Sequence, residues 1–247
     1  LEDNQKYRQT IKNVLEFSPA VLQRFVNFMN NPDEETAEAQ FGKGDKYFGV
    51  CMMMVTMPGL PMFGHGQIEG YTEKYGMEYR RAYRDETPDE WLVARHQAEI
   101  FPVMRQRHVF SGAAHFRLYD FVHPDGWVDE NVFVYTNRTG RQRGMVLFNN
   151  SYHGTRGTIH TASAFNIGSA EEKHLVQNTL ADALAFSTDP ATYYIFRDAR
   201  SGLEFLRHVD QFRNGFYIEL AGYDFYALLD WREIHDFDLS WGRLHAR

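Results

Sequence analysis

Phe25-Val26-Asn27-Phe28-Met29-Asn30-Asn31-Pro32-Asp33-Glu34 is an apolar, strand-like run that stops abruptly in amides and carboxylates. The layout recurs in Met57-Pro58-Gly59-Leu60-Pro61-Met62-Phe63-Gly64-His65-Gly66-Gln67-Ile68-Glu69-Gly70, where a Gly/Pro break precedes a short apolar strand and a polar, glycine-rich mouth. Strands that end in polar groups, separated by helical stretches, are the signature of a (β/α) barrel, whose chemistry sits at the C-terminal ends of its strands. Two successive units of this kind predict a piece of such a barrel.

Working outward, Ile11, Val14, Leu15 and Phe17 form a helical stripe that ends near Ser18-Pro19, because proline disfavours helix in the residue before it. Asn31-Pro32-Asp33-Glu34 has the composition of a helix start: a capping amide, proline at the first position and carboxylates in the first turn. Asp45 to Met57 reads as a helix apolar all round, hence buried between layers. Pro88-Asp89-Glu90-Trp91 opens another helix, carried toward Val109 and interrupted or kinked by Pro102.

After Ser111-Gly112 the texture becomes β. Runs at 116–122, 132–136, 145–148, 158–162, 193–197, 215–220 and 225–231 read as strands separated by Gly, Asn and Asp turns. Residues 170–186 read as one inserted helix with Ser169 as its cap. The expected organisation is two domains: a partial (β/α) barrel over 1–111, then an antiparallel β-sandwich over 112–247.

The 247 residues suffice for one large core or two ordinary ones. A net charge of -7 argues against a surface that neutralises many phosphates, so nucleic acid is not an expected partner. No apolar run approaches the ~18 residues of a membrane span, and no signal-like leader opens the chain, so a soluble, cytoplasmic protein is expected. Cys51, the single cysteine, lies in Cys51-Met52-Met53-Met54-Val55 and is expected to be a buried, inert thiol. The 11 histidines fall in no zinc-binding pattern, and no dinucleotide or Walker-type phosphate motif occurs. Asn137-Arg138-Thr139 and Asn149-Asn150-Ser151 both fit the glycosylation sequon.

The segment Phe28-Met29-Asn30-Asn31-Pro32-Asp33-Glu34 resembles the fourth signature of the α-amylase superfamily, glycoside hydrolase family 13, aromatic-x-x-Asn-His-Asp at the end of the seventh barrel strand. Gly59-Leu60-Pro61 with the mouth Gly64 to Gly70 is similar to that family's eighth strand and its Gly-(Asp/Gln)-Glu loop. Leu220 to Glu233 resembles the last strands of its C-terminal β-sandwich. Here Pro32 replaces the family's histidine, and Ile68 is an extra residue between Gln67 and Glu69. The resemblance covers nearly the whole chain and implies the end of the catalytic barrel followed by the sandwich. It makes Asp33 the carboxylate that hydrogen-bonds sugar hydroxyls and stabilises an oxocarbenium-like transition state, with Asn31, Glu34, His65 and Gln67 contacting substrate.

Pure backbone capping remains the alternative for Asn31 to Glu34, and His65 either faces a ligand or tolerates an unusual backbone angle. Glu69, Glu73 and Glu78 are read as a solvated rim, and Trp91 and Trp127 as packed rather than as sugar platforms. The chain opens on Leu1 with a helix in progress, the texture of a segment cut from a longer protein. A retaining glycosidase needs two carboxylates about 5–5.5 Å apart, and by the resemblance both lie upstream.

The expected function is thus the C-terminal segment of a glycosidase or glucan transferase acting on α-glucans by a retaining mechanism, inactive alone. The alternative is a non-catalytic polysaccharide-binding or scaffolding protein derived from that family. Its expected partners are an α-glucan or oligosaccharide and the remainder of the barrel, with self-association through an open sheet edge. No cofactor is expected; the family resemblance allows calcium in the intact enzyme, but no residue pattern here supports it.

Overall fold

The computed structural model describes residues 3–76 and 80–246. In chain order it places α1 (Asn4–Phe17), β1 (Val26–Phe28), α2 (Ala37–Phe41), α3 (Asp45–Thr56), β2 (Leu60–Met62), α4 (Glu90–Arg95), α5 (Phe101–Met104) and α6 (Arg107–Phe110). The β-rich half follows: β3 (Arg117–Tyr119), β4 (Val132–Thr139), β5 (Gln142–Asn149), β6 (Thr155–Ile159), β7 (Phe165–Asn166), β8 (Leu175–Val176), α7 (Leu180–Ala183), β9 (Thr192–Asp198), β10 (Glu204–His208), α8 (Asp210–Arg213), β11 (Phe216–Leu220), β12 (Phe225–His235) and α9 (Ser240–His245).

β1 and β2 pair in parallel, Val26 opposite Leu60 and Phe28 opposite Met62, with α2 and α3 in the crossover. This is the expected strand–helix–strand unit, because parallel neighbours need a long connection that returns the chain to the same end. Beyond it lies a six-stranded antiparallel sheet in the order β10-β9-β12-β5-β4-β3. The chain is therefore α/β first and β-rich second.

α3 is buried from Tyr47 to Thr56. Its apolar circumference is explained by what surrounds it: β1 and β2 to one side, and to the other the sheet face that presents Phe133, Tyr135, Val146, Phe148, Phe225, Ala227 and Leu229. Strand alternation sends the neighbours Val132, Val134, Met145, Leu147 and Leu228 to the opposite face, where Phe212, Phe216, Ile159 and Trp231 cover them. The sheet is buried on both sides, and its first face shares one continuous core with the helical half. Gly49 allows the close approach: a Cβ there would sit 2.1 Å from the Phe148 ring.

Several local expectations are corrected. Asn31 to Glu34 does not open a helix; it forms a turn, and α2 starts at Ala37 behind the cap Thr36, whose hydroxyl accepts from the Ala39 amide. The stretch 170–186 is not one helix. Ser169 Oγ accepts from the amides of Glu171 and Glu172 in a turn, β8 pairs with β7, and the single-turn α7 begins after its own cap, Thr179, in a box with Asp182. β10 was not expected; Leu203 to His208 carries charged and half-exposed residues that hide the apolar alternation of an edge strand. The helix from Glu90 widens into a π turn at His96–Ile100 before Pro102, which accommodates the missing backbone donor.

Cys51 is fully buried, and burial pushes its thiol pKa up, as an inert core thiol requires. Asn137 and Asn149 are buried, their amides donating to Phe110 and Gly112 carbonyls and to His153 and Ala221 carbonyls, so neither sequon is presented in the fold. No helix among the described residues is long and apolar enough to cross a membrane.

Candidate functional site

The C-terminal ends of β1 and β2 open into a cavity of about 220 Å³. One wall is the turn Asn30-Asn31-Pro32 with Glu34 and Thr36; the other is Met62-Phe63-Gly64-His65, closed by Glu73, Lys74 and Tyr75. The cavity lies at the two strand ends, and its lining includes some but not all of the residues singled out from sequence.

Asn31 lines the cavity wall and holds the turn, its Oδ1 accepting from the amides of Asp33 (2.9 Å) and Glu34 (3.0 Å). That turn carries Asp33 out to solvent: its side chain is exposed and is not part of the cavity lining. Its backbone carbonyl accepts from Lys74 Nζ at 3.1 Å, which fastens one wall of the cavity to the other. Glu34 is exposed but does line the cavity.

His65 also lines it, with its ring 4.0 Å from that of Tyr75 and 6.1 Å from that of Tyr71. The left-handed backbone angles in this loop belong to Gly66 (φ 69°) and Gly70 (φ 74°), not to His65, so tolerance of an unusual angle does not account for the histidine. Gln67, by contrast, turns inward and is 3% exposed. Its Oε1 accepts from the Gly64 amide at 3.0 Å, its Nε2 points at the Met29 sulfur, and its carbonyl takes the Tyr47 hydroxyl. It braces the loop from beneath and does not reach the cavity.

Asn30 is the residue that sequence reasoning passed over. It lies just beyond the end of β1, is 6% exposed, and lines the cavity, while its Oδ1 is buried with no hydrogen-bond partner among the described residues. A buried acceptor left unpaired costs on the order of 1–3 kcal/mol, a cost that a bound donor would remove. Gly64 permits this arrangement, since a Cβ on it would come within 2.3 Å of Asn30 Oδ1. The amide sits next to the cavity because β1 alternates and then turns, which a carboxylate count along the sequence does not reveal.

The acidic rim behaves unlike its sequence reading. Glu73 is buried, its carboxylate accepting from the amides of Tyr83 (2.8 Å) and Arg84 (3.0 Å), so it shapes the loop instead of being solvated. Glu86 does the same for Thr72 and Glu73; burial alone would raise its pKa, but the Thr72 hydroxyl and the two amides hold it below the usual carboxylate range. Glu69 is half-buried, and Glu78 lies outside the described residues. Trp91 and Trp127 are not packed away: they are 54% and 48% exposed. No cluster of three or more His, Cys, Asp or Glu suited to a metal occurs among the described residues.

No protein-family model matches the chain, and no curated protein matches it in sequence. Its fold is nevertheless shared with solved structures. A debranching enzyme from Nostoc punctiforme, soaked with acarbose, matches 91% of this chain over 38% of its own length, with a TM-score of 0.55 and 10% identity. An Anoxybacillus α-amylase matches 92% over 46% (TM-score 0.52, 12% identity), and a maltogenic α-amylase from Thermotoga neapolitana matches 92% over 49% (0.53, 12%). The likeness is to the C-terminal regions of these α-amylase-family structures. At such identities it establishes the fold, and the chain spans less than half the length of each.

Proposed function

We propose that this chain is the C-terminal part of an α-amylase-type glycosidase or glucan transferase and that the strand-end cavity contacts the sugar hydroxyls of an α-glucan. The observation that carries the reading is the cavity at the ends of two parallel strands, holding a buried, unpaired amide oxygen at Asn30 beside His65 and Tyr75. Hydroxyl groups supply the donor Asn30 lacks, and imidazole and phenol offer both donors and acceptors for a polyol. The volume is below the about 300–1,000 Å³ typical of a drug-sized ligand site, so it suits part of a chain and not a whole oligosaccharide.

The residues of this cavity do not supply retaining chemistry by themselves. Of its two carboxylates, Glu34 is exposed and Glu73 is committed to the amides of Tyr83 and Arg84. The nucleophile and the acid/base group would come from the remainder of the barrel, leaving this segment alone inactive. Asp33, exposed beside the cavity, would act only if a partner segment or substrate extended over it. A second reading, a non-catalytic polysaccharide-binding or scaffolding protein, is favoured by Asn30: at a buried strand-end position facing the cavity the chain places an uncharged amide.

Titration calorimetry with maltoheptaose tests this on the wild type and on His65→Ala and Asn30→Ala, with Asp33→Ala as the comparison. Weakening by about tenfold in the first two supports the cavity. If neither variant changes the affinity, the strand-end reading is wrong.

A further inference from the structure

A second cavity, of about 690 Å³, lies in the β-rich half, between the hairpin that carries Trp127 and the β6–β11 ladder. We propose that it is a separate saccharide-binding site in which Trp127 is the platform for a neutral sugar ring. The ligand class rests on the carbohydrate reading of the strand-end cavity; the site itself is argued from its own residues.

The platform is built and rigid. Val122 bridges Val128, the His123 amide donates to the Trp127 carbonyl at 2.8 Å, and the Gly126 amide donates back to the His123 carbonyl at 2.8 Å. Gly126 takes the left-handed backbone (φ 89°) that this tight turn needs. The His123 ring stacks against the indole at 4.7 Å and 21°, and Asp125 stands 3.1 Å from its Nδ1. One face of the indole is held by His123, and Trp127 is 48% exposed and lines the cavity, which leaves ring surface for a flat, apolar patch of C–H groups such as a pyranose presents.

Around that face the polar groups are of both signs and partly unspent. Asp129 is 5% exposed; its Oδ1 accepts from the amide and the side chain of Asn131, both at 3.1 Å, while its Oδ2 has no partner among the described residues. The Arg156 side chain makes no hydrogen bond or ion pair to another described residue, although it stands directly across the ladder from Glu219, which instead accepts from the Tyr217 hydroxyl at 2.8 Å. Two carboxylates (Asp129 and Glu219), one guanidinium (Arg156) and two imidazoles (His123 and His153) line the cavity, a mixture of signs that disfavours a polyanion or polycation. They match vicinal hydroxyls, each of which donates to a carboxylate and accepts from a guanidinium. The volume falls within the range of ligand sites.

The test is calorimetry and tryptophan fluorescence with maltoheptaose on the wild type, Trp127→Ala, Arg156→Ala and His65→Ala. Two binding events are expected in the wild type. Trp127→Ala removes one, with the indole fluorescence change, and Arg156→Ala, an exposed substitution that leaves the hairpin intact, weakens the same event about tenfold. An event that survives both substitutions unchanged while His65→Ala abolishes it overturns this site and leaves the strand-end reading standing. Binding lost only in Trp127→Ala and Arg156→Ala does the reverse. A wild type that binds no maltoheptaose overturns both.

Discussion

Arg8 is predicted to be the residue that fastens the N-terminal helix to the β-rich half, and its replacement gives the most direct check on how the two halves are joined. The side chain is fully buried. Its Nε donates to Glu130 at 2.7 Å, Nη1 to the Val132 carbonyl at 2.7 Å, and Nη2 to Asp120 at 2.5 Å and the Tyr119 carbonyl at 3.2 Å. Arg8→Met keeps the volume and removes every donor.

Truncating one partner of a buried ion pair typically costs about 3–5 kcal/mol because a charge is stranded. Here Asp120 and Glu130 are 34% and 35% exposed, so water takes up both, and Lys12 still reaches Asp120 at 2.8 Å. What remains is chiefly the loss of two carbonyl partners and of the charge-assisted bonds, about 3 kcal/mol together, the low end of that range. Urea denaturation followed by circular dichroism reads this as a midpoint lowered by about 1 M, taking a slope of about 3 kcal/mol per M for a chain of this size. Arg8→Lys, which keeps one charge but not the fork, falls between. A loss below about 0.5 kcal/mol in Arg8→Met would refute the reasoning, since it would mean that α1 is not held to the sheet by these bonds.

Further outcomes follow from the same packing and electrostatics. Gly49→Ala should destabilise by about 1–3 kcal/mol despite its better helix propensity, because the new Cβ meets the buried Phe148 ring; Phe148→Leu in the same chain should recover part of the loss, read by thermal denaturation. His96 is fully buried among Tyr47, Phe48, Phe63 and Phe101, and burial lowers its pKa below 6.5. The unfolded chain therefore takes the proton first, so stability is full above about pH 6.5 and falls as pH drops below it, by at most about 1.4 kcal/mol per pH unit for this group. Melting temperatures of wild type and His96→Gln across pH 7.5 to 5.5 should diverge, the variant showing the flatter profile; parallel profiles exclude the assignment. Val26, Phe28 and Leu60 stand 47%, 42% and 62% exposed on strands that no third strand flanks among the described residues, so concentrated protein should self-associate and Phe28→Lys should reduce this in light scattering.

Strand identities and the burial of the central helix were legible in the sequence because each depends on local pattern. Val132 to Tyr135 alternates between two cores, and the Met-rich run from Cys51 to Met54 leaves no polar face to expose. Proline and glycine marked the breaks reliably, down to the widened turn before Pro102. Capping was less transferable. Asn31-Pro32-Asp33-Glu34 has the residues of a helix start, and its amide does accept two backbone donors, yet the helix waits until Thr36. Propensity names the motif without saying whether the chain can continue into a helix at that point.

The cavity residues themselves could not be read this way. The family resemblance pointed to Asp33, but the turn held by Asn31 carries it to solvent and leaves the neutral Asn30 at the buried position. Whether Gln67 faces the mouth or braces it, and whether Trp127 is covered or open, depends on segments far apart in the chain meeting: Met29 and Gly64 around the one, His123 and the β6–β11 ladder around the other. A linear pattern constrains which side chains alternate and where the backbone bends. Burial and hydrogen-bond satisfaction are properties of the neighbours that arrive from elsewhere, and those neighbours exist only once the chain has folded.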